Sequence, residues 1–429
     1  MTNIYGFYSI MLRRVRRMLA VAAAVIVTFL FLDFTGTLHA WLGWMAKIQF
    51  LPAFLALHVG IVIALVLLTV LLGRVYCSVI CPLGVFQDFI AWLSKKRRRK
   101  NRYSFSPAVS WLRYSVLALF VLAMLGGVGS FVALLEPYSA YGRIVSNLFA
   151  PVYQWGNNGL AYLAERADSY AFYETDVWVR SWLVFGVAAV TLVVIVLLAW
   201  RNGRTYCNTV CPVGTLLGFF SRYSLFRPVI RAEGCVSCSL CARQCKASCI
   251  DYKNHKIDYS RCVACMDCLD ACKHDAIRFG NRLKEAGTKD IHDTADDGVD
   301  PTRRKFFSLV ALLTAGMTLK AQEKKVDGGL AVIEDKKVPE RAMAIVPPGA
   351  VSARHFAQHC TGCQLCVSVC ENQVLRPSMD WQKLMQPEMS YERGYCRPEC
   401  TKCADVCPAG AIRPITVAEK SAIQIGHAV

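Results

Sequence analysis

Four apolar stretches, each long enough for a membrane-spanning helix, constrain this chain more than any other feature of its sequence. They cover residues 18–38, 51–72, 114–135 and 182–200. A helix that rises 1.5 Å per residue needs about 20 apolar residues to cross a hydrocarbon core of about 30 Å. The stretches therefore predict a membrane α-helical bundle of four main spans within residues 18–214. Buried helices of a large soluble core are the alternative.

The distribution of charge predicts how these spans are oriented. The chain has a formal net charge of +18, and residues 95–102 between the second and third stretches are almost all basic. The basic residues just before the first stretch are Arg13, Arg14, Arg16 and Arg17. Lys and Arg are enriched in cytoplasmic loops, so residues 1–17, the loop 95–102 and the chain after the fourth stretch are predicted to face the cytoplasm. The charge reports the topology of a multi-pass inner-membrane protein, and no nucleic-acid partner is needed to explain it.

One motif, G-R-x-Y-C-x-x-x-C-P-x-G, occurs twice, at residues 73–84 and 203–214, each time directly after an apolar stretch. This spacing predicts a parallel two-hairpin repeat related by an axis near the membrane normal. Arg74 and Arg204 would flank a shared site at the cytoplasmic end of the bundle. That site would bind an additional metal ion or cluster, or act as a dithiol, through Cys77, Cys81, Cys207 and Cys211. The alternative is a turn motif in which Gly and Pro end the span and the cysteines are merely buried.

The chain has 21 cysteines, and sixteen of them form four runs of four. Three runs have the C-x2-C-x2-C-x3-C spacing of bacterial ferredoxins, and the last run has one residue more. In such runs three thiolates hold one 4Fe–4S cluster, and the fourth cysteine ligates the cluster of the paired run. Zinc is the alternative, although it usually takes two separated cysteine pairs. Proline follows only Cys407 of the four last cysteines, and Cys249 fits no run, which predicts an unligated thiol.

The pairing rule predicts four 4Fe–4S clusters in two small α+β ferredoxin domains of the bacterial two-cluster type, residues 230–282 and 345–429. The ligand sets of the first domain are Cys235, Cys238, Cys241 with Cys272, and Cys262, Cys265, Cys268 with Cys245. The ligand sets of the second domain are Cys360, Cys363, Cys366 with Cys407, and Cys396, Cys400, Cys403 with Cys370.

The two ferredoxin domains are separated by an acidic linker, residues 283–300, and by a segment at 301–320 that begins with Pro-Thr-Arg-Arg-Lys-Phe-Phe. Arg303 and Arg304 before a moderately apolar run are typical of a twin-arginine signal, which exports proteins already folded around their cofactors. The segment is also a candidate for a further membrane segment. The second ferredoxin domain is accordingly predicted to be periplasmic and the first cytoplasmic. An amphipathic or buried cytoplasmic helix is the alternative.

Four spans with two C-x-x-x-C-P motifs, followed by a two-cluster ferredoxin, resemble NapH, the membrane quinol-dehydrogenase subunit of the periplasmic nitrate reductase system. The segment from Thr302 onward resembles its exported ferredoxin partner NapG, so the chain looks like the two fused end to end. NapG-type proteins usually carry four cysteine runs, whereas this chain has two. The repeated motif is also similar to that of membrane iron–sulfur proteins of the NosR and CcoG types.

The resemblance implies that the protein oxidises menaquinol or ubiquinol and passes electrons to a periplasmic reductase or cytochrome acceptor. A quinol site needs a proton acceptor, and ionisable residues near spans are functional candidates. Those near the predicted outer ends of the spans are Asp33, His39, His58 and Glu136. We expect Glu136 and His58 to belong to the quinol site, with anchoring of helix ends as the alternative. Redox sensing or metalloenzyme maturation, as in NosR- and CcoG-type proteins, is the alternative function.

Overall fold

The structure, a computed structural model, describes residues 2–33, 36–97, 103–169, 172–282, 344–392 and 394–423. The predicted acidic linker (283–300) and the predicted twin-arginine segment (301–320) lie outside the described residues, so both remain predictions.

Helices form the described chain from Thr2 as far as Ser221. Their bounds are α1 Thr2–Leu32, α2 Thr37–Leu42, α3 Trp44–Lys47, α4 Phe50–Leu55, α5 Val59–Leu72, α6 Pro82–Arg97, α7 Ser110–Leu125, α8 Gly129–Leu135, α9 Pro137–Ile144, α10 Ala150–Glu165, α11 Trp182–Asn202, α12 Thr205–Thr209 and α13 Pro212–Ser221. Single π-helical turns lie at Tyr76–Ile80 and Val145–Phe149. The first of these contains Cys77 of the repeated motif, and π-helical turns are frequent at functional sites.

Two helices in the described part of the chain are long and apolar enough to cross a membrane. They are the Met11–Leu32 part of α1 and the whole of α11, with mean hydropathies of 2.1 and 2.8. They correspond to the first and fourth predicted spans, although α1 ends at Leu32 rather than at residue 38. The four-span prediction is therefore matched by two long helices.

The second and third predicted spans are wrong as continuous helices. The chain breaks at residues 56–58, between α4 and α5, and at residues 126–128, between α7 and α8. At 1.5 Å per residue, α5 with 14 residues and α7 with 16 are about 21 Å and 24 Å long. Both are shorter than the roughly 30 Å hydrocarbon core of a bilayer.

The same backbone turn makes both breaks. The N–H groups of His58 and Val128 each donate to the carbonyl five residues earlier, at 2.9 Å. The residue before each donor, Leu57 or Gly127, has a positive φ of 55° or 73°. A left-handed residue of this kind closes a helix by satisfying its last carbonyls. Residue type does not predict the turn after α4, because Leu57 is not a residue that favours this conformation.

The short helices α4 and α8 fold back toward the two motif tyrosines. Tyr76 accepts a hydrogen bond at 3.0 Å from the N–H of Phe50, where α4 begins. Tyr206 donates at 3.0 Å to the carbonyl of Leu135, where α8 ends. The motif thus lies directly against the two folded-back helices.

The outer faces of the longer helices are apolar. On α5, four side chains recur every four residues and are all exposed, namely Val59, Ile63, Leu67 and Leu71. On α11, exposed apolar side chains include Val190, Val193, Val194 and Leu197. Contiguous apolar surface of this kind is rare on soluble monomers and marks contact with another apolar phase or a partner.

In each half of the helical region, the helix after the motif packs on the helix that leads into the other motif copy. Helix α6 follows the first motif copy and packs on α11, which leads into the second copy. Helix α13 follows the second copy and packs on α5, which leads into the first. This reciprocal packing is what a repeat related by a two-fold axis produces.

The first cysteine-rich domain is built from two small antiparallel hairpins and two short helices. Its elements are β1 Phe226–Ile230, α14 Leu240–Gln244, β2 Ile250–Asp251, β3 Lys256–Ile257, α15 Asp267–Ala271 and β4 Ile277–Asn281. Strand β1 pairs with β4, with Ile230 opposite Ile277, and β2 pairs with β3. The buried core consists of a few aliphatic side chains and cysteines, so the domain has little apolar area with which to stabilise itself.

The second cysteine-rich domain has a similar plan with one hairpin. Its elements are α16 Ala353–His359, α17 Leu365–Ser368, β5 Leu375–Pro377, β6 Pro387–Met389, α18 Lys402–Asp405 and α19 Val417–Ala422. Strands β5 and β6 are antiparallel. Thr416 and Glu419 form a capping box that begins α19.

The two cysteine-rich domains lie at opposite ends of α1. Near the beginning of the helix, Arg13 forms an ion pair at 2.9 Å with Asp267 of α15. Near its end, α1 packs on α17 of the second domain, and Phe31 contacts Gly142, which in turn lies against the carbonyl of Cys363. All described residues belong to one compact unit. Because each domain contacts a different part of α1, the helical region separates the two domains.

Candidate functional site

The cysteine runs share one unusual backbone geometry. In the first three runs the residues on both sides of the second cysteine have positive φ, between 48° and 66°. They are Ser237 and Ser239, Ala264 and Met266, and Gly362 and Gln364. Five of these six residues are not glycine, and such conformations persist only where the surrounding structure holds them, often at functional sites. The last run, with its extra residue, does not show this pattern in the described chain.

All four runs end in the same turn. The residue three positions after the last cysteine of each run has positive φ, between 49° and 67°, in Ser248, Asp275, Gln373 and Gly410. Only the last of these runs has proline after its cysteine. The turn therefore does not depend on that proline.

Three of the four predicted ligand sets line cavities of similar size. The set with Cys235, Cys238, Cys241 and Cys272 lines a cavity of about 380 Å³. The set with Cys245, Cys262, Cys265 and Cys268 lines one of about 370 Å³. The set with Cys360, Cys363, Cys366 and Cys407 lines one of about 330 Å³. In the fourth set, Cys403 lies within electrostatic range of Cys370, Cys396 and Cys400.

Each group thus combines three cysteines of one run with the last cysteine of its partner run. None of the 21 cysteines is in a disulfide bond. Within the described residues, no three His, Cys, Asp or Glu side chains are grouped tightly enough for a single metal ion. Four sulfurs on the wall of one cavity fit a 4Fe–4S cluster, which they would hold as thiolates and which would serve as a one-electron carrier.

Cys249, predicted from the sequence to be an unligated thiol, lies beside two cysteines of the runs. Its sulfur is buried and lies 3.5 Å from the sulfur of Cys245. It also interacts with Cys262 and lines the same cavity as both. A fifth sulfur therefore contacts two of the four predicted ligands of one cluster.

The four cysteines of the repeated motif are buried together. Cys77, Cys81, Cys207 and Cys211 are each at most 4% exposed. Cys77 and Cys207 are each within electrostatic range of both Cys81 and Cys211. Cys81 immediately precedes the proline that begins α6, and Cys211 the proline that begins α13. At the beginning of α13, the N–H of Gly214 donates to the sulfur of Cys211 at 3.3 Å.

The motif arginines cross over between the two copies. Arg74 donates to the carbonyl of Cys207 at 3.1 Å, and Arg204 donates to the carbonyl of Cys77 at 2.7 Å. Each arginine also reaches the first cysteine sulfur of its own copy, at 3.8 Å and 3.9 Å. The two copies therefore form one site.

The last glycine of each copy leaves room for the arginine of the other. A Cβ at Gly84 would lie 2.7 Å from Arg204, and a Cβ at Gly214 would lie 2.7 Å from Arg74. In both copies that Cβ would also collide with the carbonyl of the copy's first cysteine. These contacts explain why the motif requires both the arginine and the final glycine.

Positive charge around the motif site is only partly balanced. Arg204 pairs with Asp88 at 2.8 Å. Although burial by itself would raise the pKa of Asp88, the charges of Arg204 and Lys246 hold it well below its usual range. Arg74 is fully buried and, within the described residues, has no carboxylate partner. A buried unpaired cation is costly, so the site is suited to an anionic occupant.

Both motif copies also contact the first cysteine-rich domain. Arg74 donates to the carbonyl of Ser260 at 3.2 Å, two residues before Cys262. The N–H of Arg204 donates to the carbonyl of Lys246 at 2.9 Å, directly after Cys245. The motif site therefore adjoins the ligand set of Cys245, Cys262, Cys265 and Cys268 rather than the other set of that domain.

Glu136 lies on the other side of the motif site. It is 1% exposed, and its carboxylate accepts a hydrogen bond from the N–H of Ser139 at the beginning of α9. Its second oxygen, Oε1, has no partner in the described structure. Glu136 is within electrostatic range of Tyr76 and of Cys363 in the second domain. It thus lies between the motif site and the second domain.

The other predicted proton acceptors are elsewhere. His58 is exposed at the break before α5, and no hydrogen bond or ion pair in the described structure joins it to Glu136. His39 and Asp33 form a separate buried pair, with 3.2 Å between Nδ1 and Oδ2. The structure does not bring Glu136 and His58 into one site.

Comparison with known families identifies 4Fe–4S domains along the chain. A family profile described as a 4Fe–4S binding domain matches twice, at residues 54–101 and 183–232, which contain the two motif copies. A profile described as a 4Fe–4S dicluster domain matches residues 359–411. A further 4Fe–4S binding domain profile matches residues 255–278. The protein therefore contains ferredoxin-type 4Fe–4S domains.

Similar proteins match at low identity. An uncharacterized protein of Methanocaldococcus jannaschii is 26% identical over 54% of this chain and 73% of its own length. YccM of Escherichia coli, named as a candidate electron transport protein, is 24% identical over 46% of this chain and 47% of its own. MauN of Methylobacillus flagellatus, a methylamine utilization ferredoxin-type protein, is 25% identical over 40% of this chain and 48% of its own. The chain thus spans about half the length of the last two. No solved structure matches.

Proposed function

We propose that this protein is a membrane-bound electron-transfer protein that oxidises quinol and passes the electrons through 4Fe–4S clusters to a periplasmic reductase or cytochrome. The observation that carries the proposal is the order of the cysteine sites along the molecule. The motif site lies between two ferredoxin-type domains at opposite ends of α1. This arrangement suits transfer of electrons across a membrane better than binding of a soluble substrate.

The contacts suggest one sequence of carriers. The motif site adjoins Cys245 and Cys262 on one side through Lys246 and Ser260. On its other side, Tyr76 is within electrostatic range of Glu136, and Glu136 of Cys363. The sets containing Cys245 and Cys363 are then the inner carriers of their domains, and the sets containing Cys235 and Cys396 are the outer ones.

The motif site is proposed to hold a fifth 4Fe–4S cluster. Two observations support this assignment: the 4Fe–4S binding domain profile matches both motif copies, and Arg74 is buried without a carboxylate partner. Cys77, Cys81, Cys207 and Cys211 would be its ligands. Five clusters predict about 20 iron atoms per chain in anaerobic analysis. About 16, unchanged in the Cys77→Ala/Cys211→Ala variant, would contradict the assignment.

The membrane location and the sidedness belong to the same proposal. The apolar outer stripes of α5 and α11 and the basic residues beside the first domain support a bilayer around the helical region, with the first domain in the cytoplasm. The second domain, at the other end of α1, would then be periplasmic. A working twin-arginine segment at 301–320 would account for its export.

Anaerobic mixing with a reduced quinol analogue tests the function directly. The purified protein in lipid nanodiscs should lose its cluster absorbance when duroquinol is added. Reduction by dithionite is the control that the clusters are intact. Clusters that dithionite reduces but that no quinol reduces would contradict quinol oxidation and would favour sensing or maturation.

A further inference from the structure

A cavity that is partly open to solvent lies where α1 ends and α11 begins, and its empty space, open solvent included, is about 560 Å³. Its wall combines apolar side chains of both helices, Phe31, Leu32 and Phe185, with residues of the second ferredoxin-type domain, Ser368 and Gln373. Neither motif copy and neither predicted proton acceptor, Glu136 or His58, contributes to this wall. The cavity is therefore separate from the sites described above.

Two polar groups in the wall have no protein partner. Arg180 lines the cavity, and no hydrogen bond or ion pair joins its guanidinium to any other described residue. The hydroxyl of Ser146 is buried and equally without a partner in the described chain. A guanidinium and a hydroxyl without protein partners on one cavity wall can both donate hydrogen bonds to a ligand. The hydroxyl of Ser146 is buried, and leaving it unpaired is costly.

The remaining wall combines polar side chains, Asn147, Gln154 and Asp176, with aromatic ones. Trp178 lines the cavity and carries the guanidinium of Arg376 over its ring at 4.8 Å. Phe31 and Phe185 belong to the two helices that are long and apolar enough to cross a membrane. Nearby α10 exposes large apolar side chains, Val152, Trp155, Leu160 and Leu163. Aromatic residues concentrate at the level of the lipid headgroups. A ligand dissolved in the bilayer would reach the cavity from this level.

The cavity adjoins the clusters of the second domain. Ser368 lies between Cys366 and Cys370, and Gln373 is the left-handed residue that follows Cys370. Arg180 is within electrostatic range of both cysteines. A ligand at Arg180 would therefore lie beside ligands of both predicted clusters of that domain.

We infer that this cavity binds the headgroup of a membrane quinone, with Arg180 and Ser146 as the polar partners of its oxygens. The inference rests on the proposed function and specifies where the quinone of that function binds. It also differs from the sequence prediction, which assigned the quinone to Glu136 and His58. A carbonyl oxygen accepts a hydrogen bond from a guanidinium or a hydroxyl, and a quinone has two carbonyl oxygens on one flat ring.

Quinone binding to the oxidised holoprotein tests the inference without turnover. The full chain with its clusters is placed in lipid nanodiscs, and binding of a short-chain menaquinone analogue is measured by titration calorimetry. Arg180→Gln should weaken binding about tenfold or more, because it removes a charged donor, and Ser146→Ala should weaken it severalfold. Arg166→Gln, an exposed arginine of the same region that does not line the cavity, should bind as the wild type does. Iron content and thermal unfolding show whether each variant is folded. If Arg180→Gln does not fold, Arg180→Lys replaces it in the test.

Photolabelling with an azidoquinone separates the remaining outcomes. Labelling of the segment around Arg180, lost in Arg180→Gln, is the expected result. Wild-type affinity in both Arg180 variants, or labelling of α8 and α9 that Glu136→Gln abolishes, would overturn the inference while leaving quinol oxidation in place. No quinone binding by the wild type at all would overturn the inference and the proposed function together.

Discussion

Arg74 and Arg204 show what the sequence motif encodes at the residue scale. Each arginine reaches the backbone of the opposite copy and passes over its last glycine. The repeat and its buried cysteines were predictable because twelve-residue matches are visible in the sequence. The contact of each arginine with the opposite copy was not predictable, because the sequence of one copy does not indicate which copy its arginine will contact.

Replacing Gly84 by alanine tests this contact. The added Cβ would collide with the carbonyl of Cys77 and with Arg204, so Gly84→Ala should destabilise the protein by about 1–3 kcal/mol. Gly156→Ala and Gly159→Ala on α10 are the controls, because no atom lies within 4 Å of the added Cβ at either position. They should be neutral or stabilising by up to about 1 kcal/mol. Thermal unfolding in nanodiscs measures all three, and equal melting of Gly84→Ala and the controls would contradict the crossed packing.

Cys249 provides a second prediction at this scale. Its thiol can donate a hydrogen bond to Cys245, a predicted cluster ligand 3.5 Å away. Hydrogen bonds to ligand sulfurs stabilise the reduced cluster and raise its potential. With about 0.5–1.5 kcal/mol per hydrogen bond and 59 mV per tenfold change for one electron, Cys249→Ala should lower that potential by about 20–60 mV.

A redox titration followed by electron paramagnetic resonance measures the shift for this cluster, and Cys249→Ser should retain most of the wild-type potential because the hydroxyl still donates. Loss of the cluster in Cys249→Ala would instead make Cys249 a ligand, in place of Cys245.

At the scale of elements, the sequence predicted the apolar stretches but not their breaks. Gly126 and Gly127 interrupt one stretch visibly, whereas Leu57 ends α4 in a left-handed conformation that its residue type does not indicate. Local composition identifies apolar segments well, but a helix is ended by its tertiary contacts. Here the contacts are those of α4 and α8 with the motif tyrosines, of Gly129 in α8 with Gln386 of the second domain, and of Ala56 after α4 with Gly410.

Of the two carboxylates of α15 that pair with α1, Asp267 and Asp270, Asp267 is the more buried. Asp267 is 5% exposed and pairs with Arg13, Arg17 and Lys246. Burial by itself would raise the pKa of Asp267, but Lys246 and Arg13 lower it to about 2. The folded pKa is below the ordinary value of about 4. The stabilisation is therefore fully present above pH 4 and is lost as the pH falls toward 2.

Removing that carboxylate should loosen the first domain. Asp267→Asn leaves three cations without their shared partner, and we expect a loss of about 3 kcal/mol at pH 7. Asp270→Asn is the matched control, because Asp270 pairs with Arg13 but is 39% exposed, and it should cost less than about 1 kcal/mol. Hydrogen exchange of the amides of α15 reports the loosening, and equal exchange in the two variants would contradict the role of Asp267.

At the scale of the whole molecule, the cysteine sets were predictable and their alignment was not. The spacing of the cysteines within each run was enough to group the ligands, because the geometry of a cluster determines that spacing. The position of the motif site between the two domains, and the cavity beside Arg180, result from the packing of elements far apart in the sequence.

The account predicts that the two ferredoxin-type domains are exposed on opposite faces of the membrane. An alkaline phosphatase reporter fused after Pro347 should be active, since that enzyme folds only in the periplasm. The same reporter fused after Asn281 should be inactive. Activity of a cytoplasmic reporter at both positions would put both domains on one face.

Electron transfer across the motif site is the central claim, and proteoliposomes with dithionite outside test it most directly. A dye trapped in the lumen shows that the reductant stays outside, and spin counting by electron paramagnetic resonance reports how many clusters become reduced. In the wild type, clusters of both domains should be reduced. In Cys77→Ala/Cys211→Ala, which removes two proposed ligands of the motif cluster, only the two clusters of the outward-facing domain should be reduced, while the four clusters of the two domains are still assembled. Full reduction in the variant, or reduction of one domain alone in the wild type, would contradict the account.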